Sequence, residues 1–152
     1  MKRTTITEII ALLFVILFLY TGISKLIEYT VFKEQIASSP LLAPLSGFTA
    51  WSLPIAEILV AILLFIPRWR LKGLYASLVL MVLFTGYIIA ILAFDEHIPC
   101  SCGGVIELLS WKGHILFNSV FIVLALIGIT LARKVSKEKS VLLNRHELAM
   151  PR

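Results

Sequence analysis

Residues 6–24, ITEIIALLFVILFLYTGIS, decide the class of this chain. The stretch is 19 residues long and almost wholly apolar. At 1.5 Å of rise per residue, a helix of that length reaches about 28 Å, close to the ~30 Å hydrocarbon thickness of a bilayer. A cleaved signal peptide is the competing reading. The apolar run is longer than the core of such a peptide, and Thr21-Gly22-Ile23-Ser24-Lys25 is not a good small-x-small cleavage site. The stretch therefore reads as a membrane helix that stays in place.

Three more segments repeat the pattern. Phe48 to Ile66 is bounded by Pro67, and carries Pro54 in its first turns, where proline is tolerated or produces a kink. Leu74 to Phe94 and Ile115 to Ala132 follow. The composition agrees. Hydrophobic residues make up 59% of the 152 and charged residues 15%, with a mean hydropathy of +0.97, more apolar surface than a soluble domain of this size can hide. The expected fold is all-α, an integral-membrane four-helix bundle over residues 1–132, followed by a basic tail, 133–152, as a frayed helix or disordered segment. Between the first two spans, Tyr29 to Ala37 has the makings of a short interfacial helix, which Ser38-Ser39-Pro40 and Pro44 break.

The formal net charge of +5 raises the question of nucleic acid. The placement of the charges answers it, because Lys and Arg sit at segment ends and in the tail, and no basic patch is interleaved with aromatics. Four spans put both termini on one side. Of the 14 Lys and Arg, 11 fall on that side and only Lys25, Lys33 and Lys112 on the other. The positive-inside rule then makes the termini of this multi-pass chain cytoplasmic. Trp51 and Trp111 fit the outer interface as anchors, and Trp69 the inner one.

On the outer side, between the third and fourth spans, lies His97-Ile98-Pro99-Cys100-Ser101-Cys102-Gly103-Gly104. It holds both cysteines. Cys100 and Cys102 can pair only if the backbone bends enough to bring their Cα atoms within roughly 4.4–6.8 Å. Pro99 on one side and two glycines on the other suit such a bend. So small a ring stabilises a fold by only about 1–2 kcal/mol, which argues against a mere staple. A strained, exposed disulfide is easily reduced, as a redox-active pair requires. The glycine amides after Cys102 favour it as the thiolate. Thiolates also suit soft metals, and His97 and His114 flank the segment in sequence, so a metal site and an inert pair remain alternatives. Either histidine is also a candidate for shifting a thiol's acidity or shuttling a proton.

Glu57 lies nine residues past Phe48, deep in the second span. A carboxylate at that depth is expensive, and is either functional or half of an interhelical hydrogen bond. Counted from the outer ends of their spans, Thr21, Glu57, Tyr87 and Asn118 all fall in the outer half of the membrane. Facing inward together, they would form a polar pocket opening towards Cys100 and Cys102. Lys25, at the outer end of the first span, either reaches down to neutralise a carboxylate or snorkels to the interface.

Three motifs carry a family resemblance: Gly22-Ile23-Ser24-Lys25-Leu26, Leu53-Pro54-Ile55-Ala56-Glu57 and Pro99-Cys100-Ser101-Cys102-Gly103-Gly104. Together they resemble the MauE/DoxX family of four-helix bacterial membrane proteins over residues 6 to about 132, and the cysteine motif resembles the MauE branch. There the familiar pattern is Cys-Gly-Cys-Phe-Gly, and this chain differs by Ser101 and by Gly103 in place of the phenylalanine. The MauE resemblance implies a role in maturing a disulfide-rich methylamine dehydrogenase. The leading expectation is thus a membrane thiol–disulfide protein, a possible oxidoreductase, in which Cys100 and Cys102 exchange with a thioredoxin-like extracytoplasmic partner, supported by Glu57, Lys25, His97, His114, Tyr87 and Asn118. Resemblance to DoxX implies instead a quinone-linked electron-transfer subunit, with quinone as a possible cofactor. The third alternative is a non-catalytic metal-binding or assembly subunit.

Overall fold

A computed structural model describes residues 2–39, 42–94 and 111–149. The described chain is helical. α1 spans Lys2–Ile27, α2 Tyr29–Ser38, α3 Ser46–Phe65, α4 Arg70–Phe94 and α5 Trp111–Ala149, with one 3-10 turn at Ala43–Leu45 before α3. Four of these, α1, α3, α4 and α5, are long and apolar enough to cross a membrane. α1, α4 and α5 outrun the apolar windows read from sequence, most of all α5, whereas α3 starts two residues earlier and ends one residue short of Ile66. The polar continuation of α5 past Arg133 contains no glycine or proline before Pro151, and is rich in Lys, Glu and Leu, so nothing in it stops the helix.

The long helices form a ring in chain order. α1 packs on α3, α3 on α4, α4 on α5 and α5 back on α1, whereas α1 and α4 meet only slightly across the diagonal. Their outward faces are apolar: Leu59, Val79, Leu83 and Leu116 are each more than half exposed. In water such a surface would drive aggregation; in lipid it is the solvated surface.

Lipid removes the hydrophobic drive for helices to pair, so close packing must supply it. Phe14 and Phe18 are fully buried at the centre, and the Phe14 ring meets Phe121 of α5 edge-on, with centroids 5.1 Å apart. The turn between α3 and α4 is closed by Gly73, where a Cβ would lie 2.9 Å from the Leu64 backbone nitrogen. Several hydroxyls inside the spans bond to carbonyls of their own helices. Ser77, fully buried, donates to the Gly73 carbonyl at 2.8 Å, and Thr85 donates to that of Met81 at 2.7 Å.

Two ion pairs show which helix ends lie together. Arg3 Nη1 is 2.8 Å from Glu138 Oε1, and Arg70 Nη1 is 3.3 Å from Glu8 Oε1. The start of α1, the start of α4 and the far part of α5 thus share one end of the bundle. Glu8, an acid inside the stretch first read as apolar, is accounted for by that pairing. The opposite end is bridged by α2, which lays Phe32 and Ile36 against Ala50 of α3 in a small apolar cluster of its own. Tyr29 stacks at a tilt on the exposed Trp51 at that end, ring centroids 5.7 Å apart, while Trp69 is exposed in the α3–α4 turn.

Candidate functional site

At the α2 end, the centre of the bundle is not filled. A cavity of about 370 Å³ lies where all five helices converge. Its wall is largely hydrocarbon and aromatic, with Phe18, Phe32, Phe84 and Phe117 among the lining side chains. The polar groups on the wall are few: Thr21 and Lys25 from α1, Thr49 and Glu57 from α3, Tyr87 from α4, and His114 and Asn118 from α5.

Backbone geometry explains how a lysine and a glutamate come to face each other there. Side chains on a helix lean toward its N-terminus. Lys25 sits in the last turn of α1, so its chain leans back into the bundle rather than out to the interface. α3 runs the opposite way, and Glu57 in its middle leans toward the α2 end. The two meet: Lys25 Nζ donates to Glu57 Oε1 in a buried ion pair. Glu57 is 0% exposed and Lys25 7%. Of the two courses open to Lys25, the structure takes the inward one.

Two neighbours make this approach possible. Gly22 lies where a Cβ would stand 3.2 Å from the Pro54 carbonyl oxygen and 3.4 Å from Glu57 Cβ. The missing side chain lets α1 settle against α3 beside the carboxylate. Lys25 Nζ also sits 5.7 Å from the centroid of the Phe32 ring and 5.4 Å from that of Phe84, so the ammonium is held between two aromatic faces as well as by the carboxylate. A buried cation at this depth requires such partners, since desolvating it alone costs several kcal/mol. Phe32 and Phe84 were not singled out in the sequence, where they are two of 9 phenylalanines among apolar neighbours.

The ion pair is incomplete on one side. Glu57 Oε2 is buried without a hydrogen-bond partner among the described residues. The Thr21 hydroxyl, on the same wall, donates to the Leu17 carbonyl at 3.0 Å.

Thr21, Glu57, Tyr87 and Asn118, grouped in the sequence by their depth in the spans, line one cavity together with Lys25 and with His114, which the sequence placed only beside the cysteine segment. Cys100, Cys102 and His97 lie outside the described residues, so their place relative to it is not described. Among the described residues no three His, Cys, Asp or Glu side chains cluster in a way that would hold a metal ion.

Comparison with known proteins adds one match. The family model described as methylamine utilisation protein MauE matches residues 3–131, which takes in the first three spans, the cysteine segment and most of the fourth span. No curated protein and no solved structure matches the chain.

Proposed function

The chain belongs to the MauE family of membrane proteins associated with methylamine utilisation, and from that premise we propose that it is a membrane thiol–disulfide protein serving the maturation of disulfide-bearing extracytoplasmic proteins. Cys100 and Cys102 form the exchanging pair. The observation that carries this reading is where the helices flanking the cysteine segment are anchored. Ile88 near the end of α4 and His114 near the start of α5 both line the cavity wall. α4 therefore ends, and α5 begins, at the end of the bundle that holds the Lys25–Glu57 pair, and Cys-x-Cys falls between them in sequence.

The charge pattern supplies the side. Arg3, Arg70 and the basic continuation of α5 share the opposite end. By the positive-inside rule that end is cytoplasmic and the cavity end faces the periplasmic or external space of a bacterial inner membrane, where disulfides form and persist. In the oxidising direction, a thiolate of a thioredoxin-like partner attacks one sulfur of the Cys100–Cys102 disulfide. A mixed disulfide forms and one cysteine leaves as thiolate. The partner's second thiolate then attacks the mixed disulfide. The partner ends with a disulfide, this chain with two thiols, and two electrons have moved with two protons.

The test is thiol trapping in intact cells with a membrane-impermeant maleimide. The pair should be unreactive before mild reduction and doubly labelled after it. Cys100→Ser and Cys102→Ser should each abolish exchange, and one of them should accumulate a mixed disulfide with the partner. Labelling that is insensitive to reductant, or full exchange by both variants, would overturn the reading.

A further inference from the structure

We propose that the outer surface of the α4–α5 seam, at the end of the bundle away from the cavity, binds an anionic phospholipid, with its phosphate on a cluster of unpaired cations and its acyl chains along the two helices. The proposal rests on neither the cavity nor the thiol reading.

The first observation is a surplus of charge. The end that holds the Arg3–Glu138 and Arg70–Glu8 pairs also carries Arg68, Lys72, Arg133, Lys134 and Lys137, all exposed. None of these further cations has an ion-pair partner among the described residues. Glu8 and Glu138 are already engaged. The cavity end differs: there the exposed Lys33 and Lys112 stand against the exposed Glu28 and Glu34. A surplus of positive charge orients a chain in a membrane wherever it lies. A binding site needs the cations to converge.

Packing shows that they do. A Cβ on Gly128 of α5 would lie 3.2 Å from Leu74 Cδ2 of α4, so these two residues share a level. The two helices run in opposite directions. Five residues after Gly128 and five before Leu74, at about 1.5 Å of rise each, Arg133 comes level with Trp69 in the α3–α4 turn, beside Arg68. The direction of each side chain follows at about 100° per residue. Glu138 faces Arg3 of α1. Arg133 and Lys137 lie about 140° and 100° round α5 from it, on the flank turned away from α1. Gly73 faces Leu64 of α3. Lys72 and Tyr75 lie about 100° and 160° round α4 from it, turned away from α3. Because α4 and α5 are neighbours in the ring, both sets border their shared seam. Lys134 is only about 40° from Glu138, and stands apart from the set.

The last observation is what lies along the helices next to the cations. On α4, Tyr75 and Val79 follow Lys72 and are exposed; on α5, Leu126 precedes Arg133 by two turns and is exposed too. Charge at the end and open hydrocarbon one to two turns away is the profile of a phospholipid, with a phosphate for the cations and chains for the apolar stripe. The exposed Trp69 sits at the headgroup level between them, as an interfacial aromatic does. A guanidinium matches two phosphate oxygens at once. A soluble anion would leave the apolar stripe unused, and a zwitterionic headgroup would bring a cation of its own to the cluster.

The site can be tested on the full chain in neutral detergent, by titration followed with native mass spectrometry. The probes are phosphatidylglycerol, phosphatidylcholine with the same acyl chains, and glycerol 3-phosphate, which has the phosphate and no chains. Phosphatidylglycerol should bind roughly ten-fold or more tighter than phosphatidylcholine, and glycerol 3-phosphate should not bind at the same concentration. Lys72→Gln and Arg133→Gln should each weaken phosphatidylglycerol by about five-fold, and the double variant by about twenty-five-fold. Phosphatidylcholine binding and helical circular dichroism should be unchanged in all three, since the replaced side chains are exposed and unpaired among the described residues. Lys134→Gln, at the same end but off the seam, and Lys33→Gln, at the other end, should each change phosphatidylglycerol binding by about two-fold or less. Equal binding of the two lipids would overturn the proposal. A loss in Lys134→Gln as large as in Arg133→Gln would replace the seam site with a diffuse attraction, and glycerol 3-phosphate binding as tight as the lipid would make it a site for soluble anions; either result overturns the proposal. None of these measurements reads thiol chemistry, so their failure leaves the Cys100–Cys102 reading standing, and failure of thiol trapping leaves this one standing.

Discussion

The two ends of the bundle hold the same chemical unit, a carboxylate against a cation, in opposite surroundings. At one end Arg3 meets Glu138 with both side chains more than half exposed. At the other, Lys25 meets Glu57 with the glutamate wholly buried and two phenylalanine rings over the ammonium. The exposed pair gains little, because two flexible side chains are ordered for a screened attraction. The buried pair is costly to assemble, and a pair of well-packed apolar residues would stabilise the bundle as well or better. The difference teaches where to look for function. Lys25 and Glu57 stabilise the bundle no better than apolar residues would and sit beside an open volume, so they are where a functional role is best tested.

The sharpest way to break this comparison is to remove one member of the buried pair. Glu57→Leu leaves an unpaired ammonium in an apolar cavity and should destabilise the chain by about 3–5 kcal/mol. Lys25→Met should do the same to the carboxylate. The double variant, Lys25→Met with Glu57→Leu, should recover most of the loss, since it buries no charge. Unfolding in mixed micelles, followed by helical circular dichroism, gives the cycle. Equal losses in the double and single variants would mean that the site is held by packing and not by charge.

A smaller effect separates the packing that presents the pair from the pair itself. Gly22→Val drives a branched side chain into the Pro54 carbonyl and Ile58, and should cost about 1–3 kcal/mol by pushing α1 off α3. Gly47→Val, near the start of α3, meets nothing within 4 Å of the new Cβ and serves as the control. Both are read by the same unfolding assay, and equal losses at the two positions would show that Gly22 is not a packing contact.

Much of this architecture was legible in the sequence. Four spans follow from run length alone, because lipid admits only a long apolar helix or a closed barrel. Counting depth put a threonine, a glutamate, a tyrosine and an asparagine in the same half of four spans, and a polar pocket was legible there on the condition that they face inward. Other features were not legible. The direction in which Lys25 points depends on the lean of side chains on a helix and on the rings that receive it, and a run of apolar letters does not say which phenylalanines those are. The full length of α5 was hidden for a different reason. Apolarity marks where a helix crosses lipid, and the polar residues after Ala132 keep helical hydrogen bonds without that signal. The volume left open among the helices is a property of packing in three dimensions, and no residue type announces it.

The smallest effects grade the comparison between its extremes. Arg70 and Glu8 form an intermediate case: the arginine side chain is 18% exposed, the glutamate 54%, and the N···O distance is 3.3 Å. Arg70 Nε is moreover buried without a hydrogen-bond partner among the described residues, so part of the guanidinium is already desolvated. If burial sets the worth of these pairs, losses should fall in the order of exposure. Arg3→Gln should change stability by about 0–1 kcal/mol, and the change should fade in high salt, because at 1 M the screening length is only about 3 Å. Glu8→Gln should cost more than Arg3→Gln and less than Glu57→Leu, and should respond to salt less than Arg3→Gln does, since Arg70 is partly shielded from the solvent that carries the ions. The measurement is the unfolding midpoint of the two variants at low and high salt. An equal, salt-insensitive loss in both would mean that this end of the bundle is held by something other than its charges, and the contrast between the two ends of the bundle would then lie in packing alone.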